Sequence, residues 1–216
     1  MKEYKGWWTP DYCHEAVDYV VKEWDQKGSK ALKMLDTQRT VLQAGGNLGV
    51  FAKQLSKFFD TVFTFEPIDH NFECMVKNLA GIDNIRMFEQ GLSDHEHFAN
   101  IDWKSPNNSG AIRLTADTHG MSMVTIDSLE LTDLDLIWLD LEGFEYKALQ
   151  GAKQTLEIHK PVLIVENNGL IHEYPSDLKG SADFRTQMLE EFNYVYKVRL
   201  MRDDLFVHKD TLDAHQ

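Results

Sequence analysis

The sequence is poor in cysteine, with only Cys13 and Cys74 among 216 residues. Two cysteines so far apart form neither a disulfide scaffold nor a zinc knuckle, so we expect reduced structural thiols. The apolar runs are short, as in Val162–Val165, which excludes a bilayer-spanning segment of about 20 residues. The segment Met1–Val20 also lacks the apolar centre of a secretory signal. These absences predict a cytoplasmic protein.

Cationic residues are also scarce, because 22 Lys and Arg stand against 35 Asp and Glu, giving a formal net charge of −13. This deficit disfavours nucleic acids, whose binding requires a cationic surface, and it disfavours anionic membranes. A small ligand, or a neutral or cationic partner, remains open. The 43% of hydrophobic and 26% of charged residues are typical of a globular protein, and the length fits one domain or one domain with a small appendage.

From Thr40 onward, short apolar runs alternate with amphipathic helical stretches. Such runs are what a parallel sheet covered on both faces requires. In the tail, the two apolar runs 194–200 and 205–209 have no helix between them, which predicts an antiparallel hairpin at one sheet edge. We therefore predict an α/β fold with a doubly wound, mostly parallel seven-stranded sheet. The main predicted strands are Thr40–Ala44, Thr61–Phe65, Ile85–Gln90, Leu134–Leu141 and Pro161–Glu166, with a shorter accessory strand in Met121–Asp127.

The segment before this pattern is predicted to form a separate cap. We expect residues 1–38 to be an N-terminal helical cap on a main domain of residues 39–216. A helix is predicted after Pro10, where apolar residues recur at helical spacing until Gly28 ends the pattern. The polar excursion Ser93–His119 is too long for a routine connection, which predicts a lid or an acceptor-recognition loop.

The first candidate site lies where the first predicted strand meets its helix, in the segment VLQAGGNLGVF. Gly45, Gly46 and Gly49 allow the backbone to turn tightly, and the helix that follows offers free N–H groups. Ligands of open α/β sheets bind at such strand ends. Glu66 ends the second predicted strand about 20 residues later, where an acid suits the hydroxyls of a ribose. Together these features predict an adenosine-containing ligand.

Hydrophobic residues follow the neighbouring strand ends. Ile68 and Leu92 are placed either to sandwich a flat base or to pack in the core. The sequence leaves both alternatives open.

The second candidate site is acidic. Asp140 and Glu142 follow the fourth predicted strand and should project into one cleft, where they would orient an ammonium group, bind a cation or take a proton. Glu145, one turn later, is expected to face solvent or to join them. Asp140, Glu166 and Asn167 would also serve as ligands of a hard cation, although strand ends are often polar without one.

Taken in order, these segments resemble the FkbM-type family of S-adenosylmethionine-dependent methyltransferases, within the class I methyltransferase fold. The resemblance runs from about Thr40 to His208. QAGGNLG is similar to the family's D-x-G-x-N-x-G loop, FEP to its second-strand acid and GLSD to its segment after the third strand. VTIDSL, DLEGFEYKALQGA and VLIVENN are similar to its later motifs, and the Asp-x-Glu-Gly-x-Glu segment is the most specific of them.

The resemblance implies S-adenosyl-L-methionine as cofactor. It implies that the glycine loop lines the methionine and ribose part, that Glu66 holds the ribose diol and that the segment Gly91–Ser93 borders the adenine. Asp140 would face the amino end of the cofactor or the acceptor. Gln43 stands where the family usually has Asp, which removes one attraction for the cationic end. The implied cofactor-binding residues are Gln43, Ala44, Gly45, Gly46, Asn47, Gly49, Glu66, Pro67, Gly91, Leu92, Ser93 and Asp140.

Three functions follow as hypotheses. The first is O-methylation of a hydroxyl on a small or carbohydrate-like acceptor, with Glu142 or Asp140 as catalytic base and an amine acceptor left open. The second is a non-catalytic cofactor-binding or partner-binding module, favoured by Gln43 and by the aromatic pair Trp7 and Trp8. The third is a nicotinamide-dependent oxidoreductase, which the glycine spacing and the lack of an obvious Tyr/Lys pair disfavour.

Overall fold

The computed structural model describes residues 1–11, 16–103, 112–117, 120–167 and 181–213. Its strands are β1 (Lys2–Tyr4), β2 (Trp7–Thr9), β3 (Thr40–Ala44), β4 (Thr61–Phe65), β5 (Ile85–Phe88), β6 (Gly91–Leu92), β7 (His97–Trp103), β8 (Ile112–Asp117), β9 (Met121–Val124), β10 (Leu134–Leu139), β11 (Val162–Glu166), β12 (Tyr194–Leu200) and β13 (Asp203–His208). Its helices are α1 (Ala16–Leu32), α2 (Val50–Leu55), α3 (Asp69–Asn78), α4 (Glu145–Gln150), α5 (Lys153–His159), α6 (Ser181–Phe192) and α7 (Lys209–Asp213), with a 3-10 turn at Asp127–Leu129.

A seven-stranded sheet in the order β12-β13-β11-β10-β3-β4-β5 forms the centre of the molecule. All its strands run in one direction except β13, which is antiparallel to both β11 and β12. The predicted mostly parallel sheet and its C-terminal hairpin are therefore confirmed. The strand order reverses between β3 and β10, and in open α/β sheets a ligand crevice opens at such a point.

Successive residues of β10 serve opposite faces of this sheet. Leu136 and Trp138 pack in a core that contains residues of α1, α2 and α3, whereas Ile137 and Leu139 pack in a second core with residues of α4, α5 and α6. Because both faces are covered, every position of such a strand favours an apolar residue. The buried strands of this sheet therefore have nearly continuous apolar sequences.

The N-terminal segment is a β1–β2 hairpin followed by α1. The prediction that the helix ends at Gly28 is wrong, because α1 continues to Leu32. A Cβ atom at Gly28 would lie 2.7 Å from the ring of Trp24, so the glycine allows a close contact within the helix. The domain boundary after residue 38 stays a prediction.

The excursion after β5 is largely a second sheet, in the order β6-β9-β7-β8. The predicted accessory strand is present as β9. The expectation of a loop is wrong for the parts described, because β7 and β8 pair as antiparallel strands and satisfy each other's backbone groups. Residues 104–111, which include the SPNNSG segment, and residues 118–119 lie outside the described residues.

Three further differences from the predicted elements concern helices and a strand end. The helix predicted after the fourth main strand is divided into α4 and α5 at Gly151 and Ala152. No helix was predicted where α6 lies, although Phe184, Met188 and Phe192 recur there at helical spacing. The strand β5 ends at Phe88 rather than at Gln90. In the part of the chain that the structure describes, none of the helices is both long and apolar enough to cross a membrane.

Candidate functional site

The glycine loop between β3 and α2 is held against the ends of two neighbouring strands. The N–H groups of Gly45 and Gly46 both donate to the carbonyl oxygen of Phe65, at 3.1 and 2.7 Å. Gly45 has a φ of +83°, and a Cβ atom there would lie 2.0 Å from the backbone oxygen of Asp140. Position 45 therefore requires glycine for its backbone conformation and for the close approach of β10.

A small cleft of about 50 Å³ opens beside this loop. Gln43 lies at its wall, with its amide donating to the Gly45 oxygen at 3.0 Å and accepting from the Thr64 hydroxyl at 2.7 Å. The side chain of Gln43 therefore supports the loop and brings no charge. The cleft is lined by Val20, Glu23, Gln43, Gly45, Gly46, Asn47, Phe51, Trp138 and Asp140.

Glu66 connects the end of β4 to the glycine loop. Its Oε2 accepts the N–H of Asn47 at 2.7 Å, and its Oε1 accepts the N–H of Ile68 at 3.0 Å. The carboxyl group is buried, and this burial raises its pKa to about 7. The side chain of Asn71 also hydrogen-bonds to this carboxyl group. The structure thus places Glu66 next to the loop as expected, while its contact with a ribose stays a prediction.

The segment expected to border the adenine is packed against the accessory sheet. Leu92 is buried in the core together with Phe65, and the N–H of Ser93 donates to the oxygen of Val124 at 2.9 Å. The Leu92 side chain therefore packs in the core, the second of the two alternatives that the sequence left open. Ile68 is also buried.

Pro67 lines a wider cleft between the end of β4 and the accessory sheet. This cleft has a volume of about 460 Å³, and Asp69, Glu89 and Met121 contribute to its wall. Met123, in contrast, is buried against Gly91.

Three carboxyl groups meet at the ends of β10 and β11. One oxygen each of Asp140, Glu142 and Glu166 lies within 4.8 Å of the others. Glu142 has a φ of +53°, in the left-handed region that a non-glycine residue rarely adopts, and Gly143 follows with +108°. The two acids predicted to share a cleft are therefore brought together, and a tight turn directs the second one.

Burial and mutual repulsion shift the pKa values of this cluster upward. Burial and the charge of Glu166 raise the pKa of Asp140 well above its ordinary value. Burial, together with Asp140, raises the pKa of Glu142 to about 7, and burial together with the Glu142 charge raises the pKa of Glu166 to about 7. A carboxyl group with a pKa near neutrality is suited to accept a proton at working pH.

The oxygen cluster has the donor chemistry of a hard-cation site. Asp140 and Glu166, two of the three ligands that the sequence suggested, belong to it together with Glu142. The side-chain nitrogen of Asn167 donates to Asp204 at 2.7 Å, and a role of its oxygen as a ligand stays a prediction. Arg202 Nη1 lies 3.5 Å from Glu166 Oε1, so a guanidinium already supplies one positive charge beside the cluster.

Glu145 does not face solvent, so that alternative is wrong. Its side chain is buried and accepts the N–H groups of Leu141, at 2.7 Å, and of Gly143, at 3.0 Å. Burial raises its pKa to about 8. Glu145 therefore shapes the turn that carries Glu142.

Sequence reasoning missed four charged residues around the cluster. Lys27 and Glu23 come from α1, and Asp203 and Arg202 come from the C-terminal hairpin. Lys27 Nζ lies 2.7 Å from Asp203 Oδ2 and 3.7 Å from Glu23 Oε1, and Arg202 Nη2 lies 3.4 Å from Glu23 Oε1. One signal was present: Glu23 and Lys27 fall at helical spacing from Val20, on the apolar face of the helix.

Comparison with known proteins identifies the family. The family model described as Methyltransferase FkbM domain matches residues 45–196. No match was found among curated proteins.

The fold is similar to those of solved methyltransferases. Methyltransferase FkbM from Methylobacillus flagellatus KT is 19% identical with a TM-score of 0.55, over 80% of this chain and 44% of that one, so this chain spans less than half of that protein. A methyltransferase from Geobacter sulfurreducens is 13% identical with a TM-score of 0.53, over 93% and 91% of the two chains. N-methyltransferase NodS from Bradyrhizobium japonicum WM9 is 10% identical with a TM-score of 0.50, over 89% and 96%.

At these identities the structural likeness establishes the fold alone, and it is the class I methyltransferase fold. The family model, in contrast, covers more than half of the chain and includes the glycine loop, Glu66 and the acidic cluster. The chain therefore belongs to the FkbM family of methyltransferases.

Proposed function

We propose that this protein is an S-adenosyl-L-methionine-dependent methyltransferase that methylates a hydroxyl group of a small or carbohydrate-like acceptor. One observation carries the proposal: in a chain of a methyltransferase family, carboxyl groups converge on a small cleft beside the glycine loop. Carboxylates are the groups that attract a ligand with a cationic end.

The residues around the cleft fit such a cofactor. Glu23 and Asp140 line the cleft beside Gly45, Gly46 and Asn47, and Glu66 stands at the neighbouring strand end. In the proposed arrangement the loop and the two acids hold the amino-acid end, and Glu66 holds the ribose. The bound cofactor supplies a methyl group on a positively charged sulfur, which is an electrophile without further activation.

The chain's own contribution is to position the acceptor and to take its proton. A hydroxyl oxygen becomes a strong nucleophile only as its proton leaves, and Glu142, with its pKa near 7, is the proposed base. With the cofactor bound, this oxygen would attack the methyl carbon, and the electron pair of the broken carbon–sulfur bond would stay on sulfur. Alignment of the two reactants in such a displacement is worth roughly 7–11 kcal/mol.

We propose a small acceptor because the negative charge of the chain disfavours large anionic ones. A formal net charge of −13 opposes binding to nucleic acids and anionic membranes. We propose further that the protein acts in the cytoplasm. The NodS neighbour is an N-methyltransferase, and amine acceptors belong in the test because they need less help in losing a proton.

The test has two stages. Calorimetric titration with S-adenosyl-L-methionine should show binding, and NAD in the same titration should show none. Methyl-labelled cofactor should then transfer its label to at least one member of a panel of hydroxyl and amine acceptors. Absence of both heat and a shift in melting temperature would overturn the proposal. Binding without transfer to any acceptor would instead support the non-catalytic binding module.

A further inference from the structure

We propose that Glu23 of α1 binds the ammonium group of the cofactor through its carboxylate. The inference rests on the proposed function and adds a residue of the N-terminal segment to the cofactor site. Glu23 lies 22 residues before Gly45 in the sequence and outside the matched residues 45–196.

The location of Glu23 is the first reason. The side chain of Glu23 is buried, and it lines the cleft together with Gln43, Gly45 and Asp140. Helical spacing produces this position, because Val20 and Glu23 share the face of α1 that covers the cleft. The helix therefore brings a carboxylate to the wall of the cleft that Gly45 and Asp140 also line.

The contacts of Glu23 leave one oxygen for a ligand. Tyr19 donates its hydroxyl to Oε1 at 3.1 Å, Arg202 Nη2 approaches Oε1 at 3.4 Å, and Lys27 Nζ lies 3.7 Å from the same atom. Within the described ranges no donor reaches Oε2. The two cations hold the side chain in place through one oxygen, and the other oxygen remains able to accept hydrogen bonds.

The size of the cleft selects the part of the ligand. A volume of about 50 Å³ holds only a few water-sized groups, whereas an adenosine is far larger. A terminal ammonium group has three N–H donors and the size of a water molecule, so it fits this space.

The charge around the cleft selects the sign of the ligand. Five carboxyl groups, of Glu23, Asp140, Glu142, Glu166 and Asp203, surround two cationic groups, of Lys27 and Arg202. A cation is favoured over a neutral or anionic group, because its charge would stabilise the ionised form of those carboxyl groups whose pKa values are raised. Gln43 at the wall of the same cleft is neutral, and its amide is bonded within the protein. Glu23 is therefore the acid on the helix side that a bound ammonium group would meet.

The experiment measures the coupling between Glu23 and the amino group by calorimetry. The two ligands are S-adenosylhomocysteine and its analogue without the amino group, and the two proteins are wild type and Glu23→Gln. In wild type, loss of the amino group should weaken binding roughly tenfold to a hundredfold, as expected for a charge-assisted hydrogen bond. In Glu23→Gln the same loss should weaken binding by a clearly smaller factor, because only Asp140 and the glycine loop then meet the amino group.

The matched control is Asp25→Asn, which removes one charge from an exposed position of the same helix. This variant should bind both ligands as wild type does. An amino group that contributes as much in Glu23→Gln as in wild type would overturn the inference. So would equal binding of the two ligands by wild type, a result that does not depend on the folding of any variant.

The failure of the proposed function would look different. Wild type would then bind neither ligand, and both proposals would fall. If wild type binds S-adenosylhomocysteine but shows no coupling to Glu23, only the role of Glu23 is overturned.

Discussion

At the scale of single residues, the strained turn after β10 is the feature most closely tied to chemistry. Glu142 adopts a left-handed backbone conformation, which costs a non-glycine residue roughly 1–3 kcal/mol and persists only where the surroundings enforce it. The enforcing group is Glu145, whose buried carboxyl group binds the N–H groups on both sides of Glu142. This turn places the carboxyl group of Glu142 beside those of Asp140 and Glu166.

The first prediction concerns Glu142 as the base. Glu142→Gln should reduce turnover by at least a hundredfold, because general-base catalysis contributes about 10²–10⁴-fold, while calorimetry should show unchanged cofactor binding. In wild type, kcat/KM should fall as pH drops below about 7, because protonation removes the base. The exposed control Glu157→Gln should behave as wild type. Undiminished turnover in Glu142→Gln would remove this residue from the mechanism.

At the scale of elements, a buried ion pair fastens α1 to the central sheet. Lys27 Nζ lies 2.7 Å from Asp203 Oδ2, and both side chains are almost completely buried. The Trp138 indole also donates to Asp203 at 3.1 Å, and Lys27 lies over the Phe51 and Trp138 rings at 5.3 and 5.8 Å from their centroids. One charged contact therefore joins α1, β10 and β13 under the cleft.

The second prediction follows from the burial of this pair. Lys27→Met should lower the free energy of unfolding by about 3–5 kcal/mol, because it leaves the Asp203 carboxylate buried without a cation. Denaturation in urea measures the change. The exposed Lys30→Met on the same helix should cost less than about 0.5 kcal/mol. The double variant Lys27→Met/Asp203→Asn should recover part of the loss, since the charge of Asp203 is then removed as well. A single variant as stable as wild type would contradict the prediction.

At the scale of the whole molecule, the unusual property is the number of carboxyl groups with raised pKa values. Burial raises the pKa values of Glu66, Glu142 and Glu166 to about 7 and that of Glu145 to about 8. In the unfolded chain a glutamate has a pKa near 4.5. Between these values the folded state therefore holds more protons than the unfolded state.

The third prediction is a decrease of stability as pH rises. Because the folded state binds the extra protons, the free energy of unfolding should be highest near pH 4.5–5 and should fall up to about pH 8, above which these groups are ionised in both states. Each such group contributes to the free energy of unfolding a slope of about 1.4 kcal/mol per pH unit. Urea denaturation at pH 5, 6, 7 and 8 measures the trend.

The variant Glu145→Gln isolates one group of this set. Between pH 5 and 8 the free energy of unfolding of this variant should fall less steeply with pH, by the amount that corresponds to about one bound proton. The variant Glu157→Gln should show the same pH dependence as wild type. A stability that rises across this range would mean that these carboxyl groups ionise in the folded state as readily as in the unfolded chain.

Local sequence patterns predicted most of the central sheet. The runs that became β3, β4, β10 and β11 were identified to within two residues, because a strand buried on both faces must be apolar at every position. Gly28 was misread because its neighbour in space is Trp24, one helical turn away, and a sequence pattern does not show how a side chain lies on its own helix. The β7–β8 pair was not predicted, although Ile112, Leu114 and Ala116 alternate with polar residues along β8.

By itself, the amino-acid sequence determined the fold class and the family, and it placed Gly45, Glu66, Asp140 and Glu142 at strand ends, since each of these depends on short segments. Only the tertiary structure decided which charges meet. Glu23 and Arg202 are 179 residues apart, and they come together because α1 and the β12–β13 hairpin pack at the same end of the sheet. Charged contacts of this kind form between residues that are far apart in the sequence, so the local sequence around each residue does not indicate them.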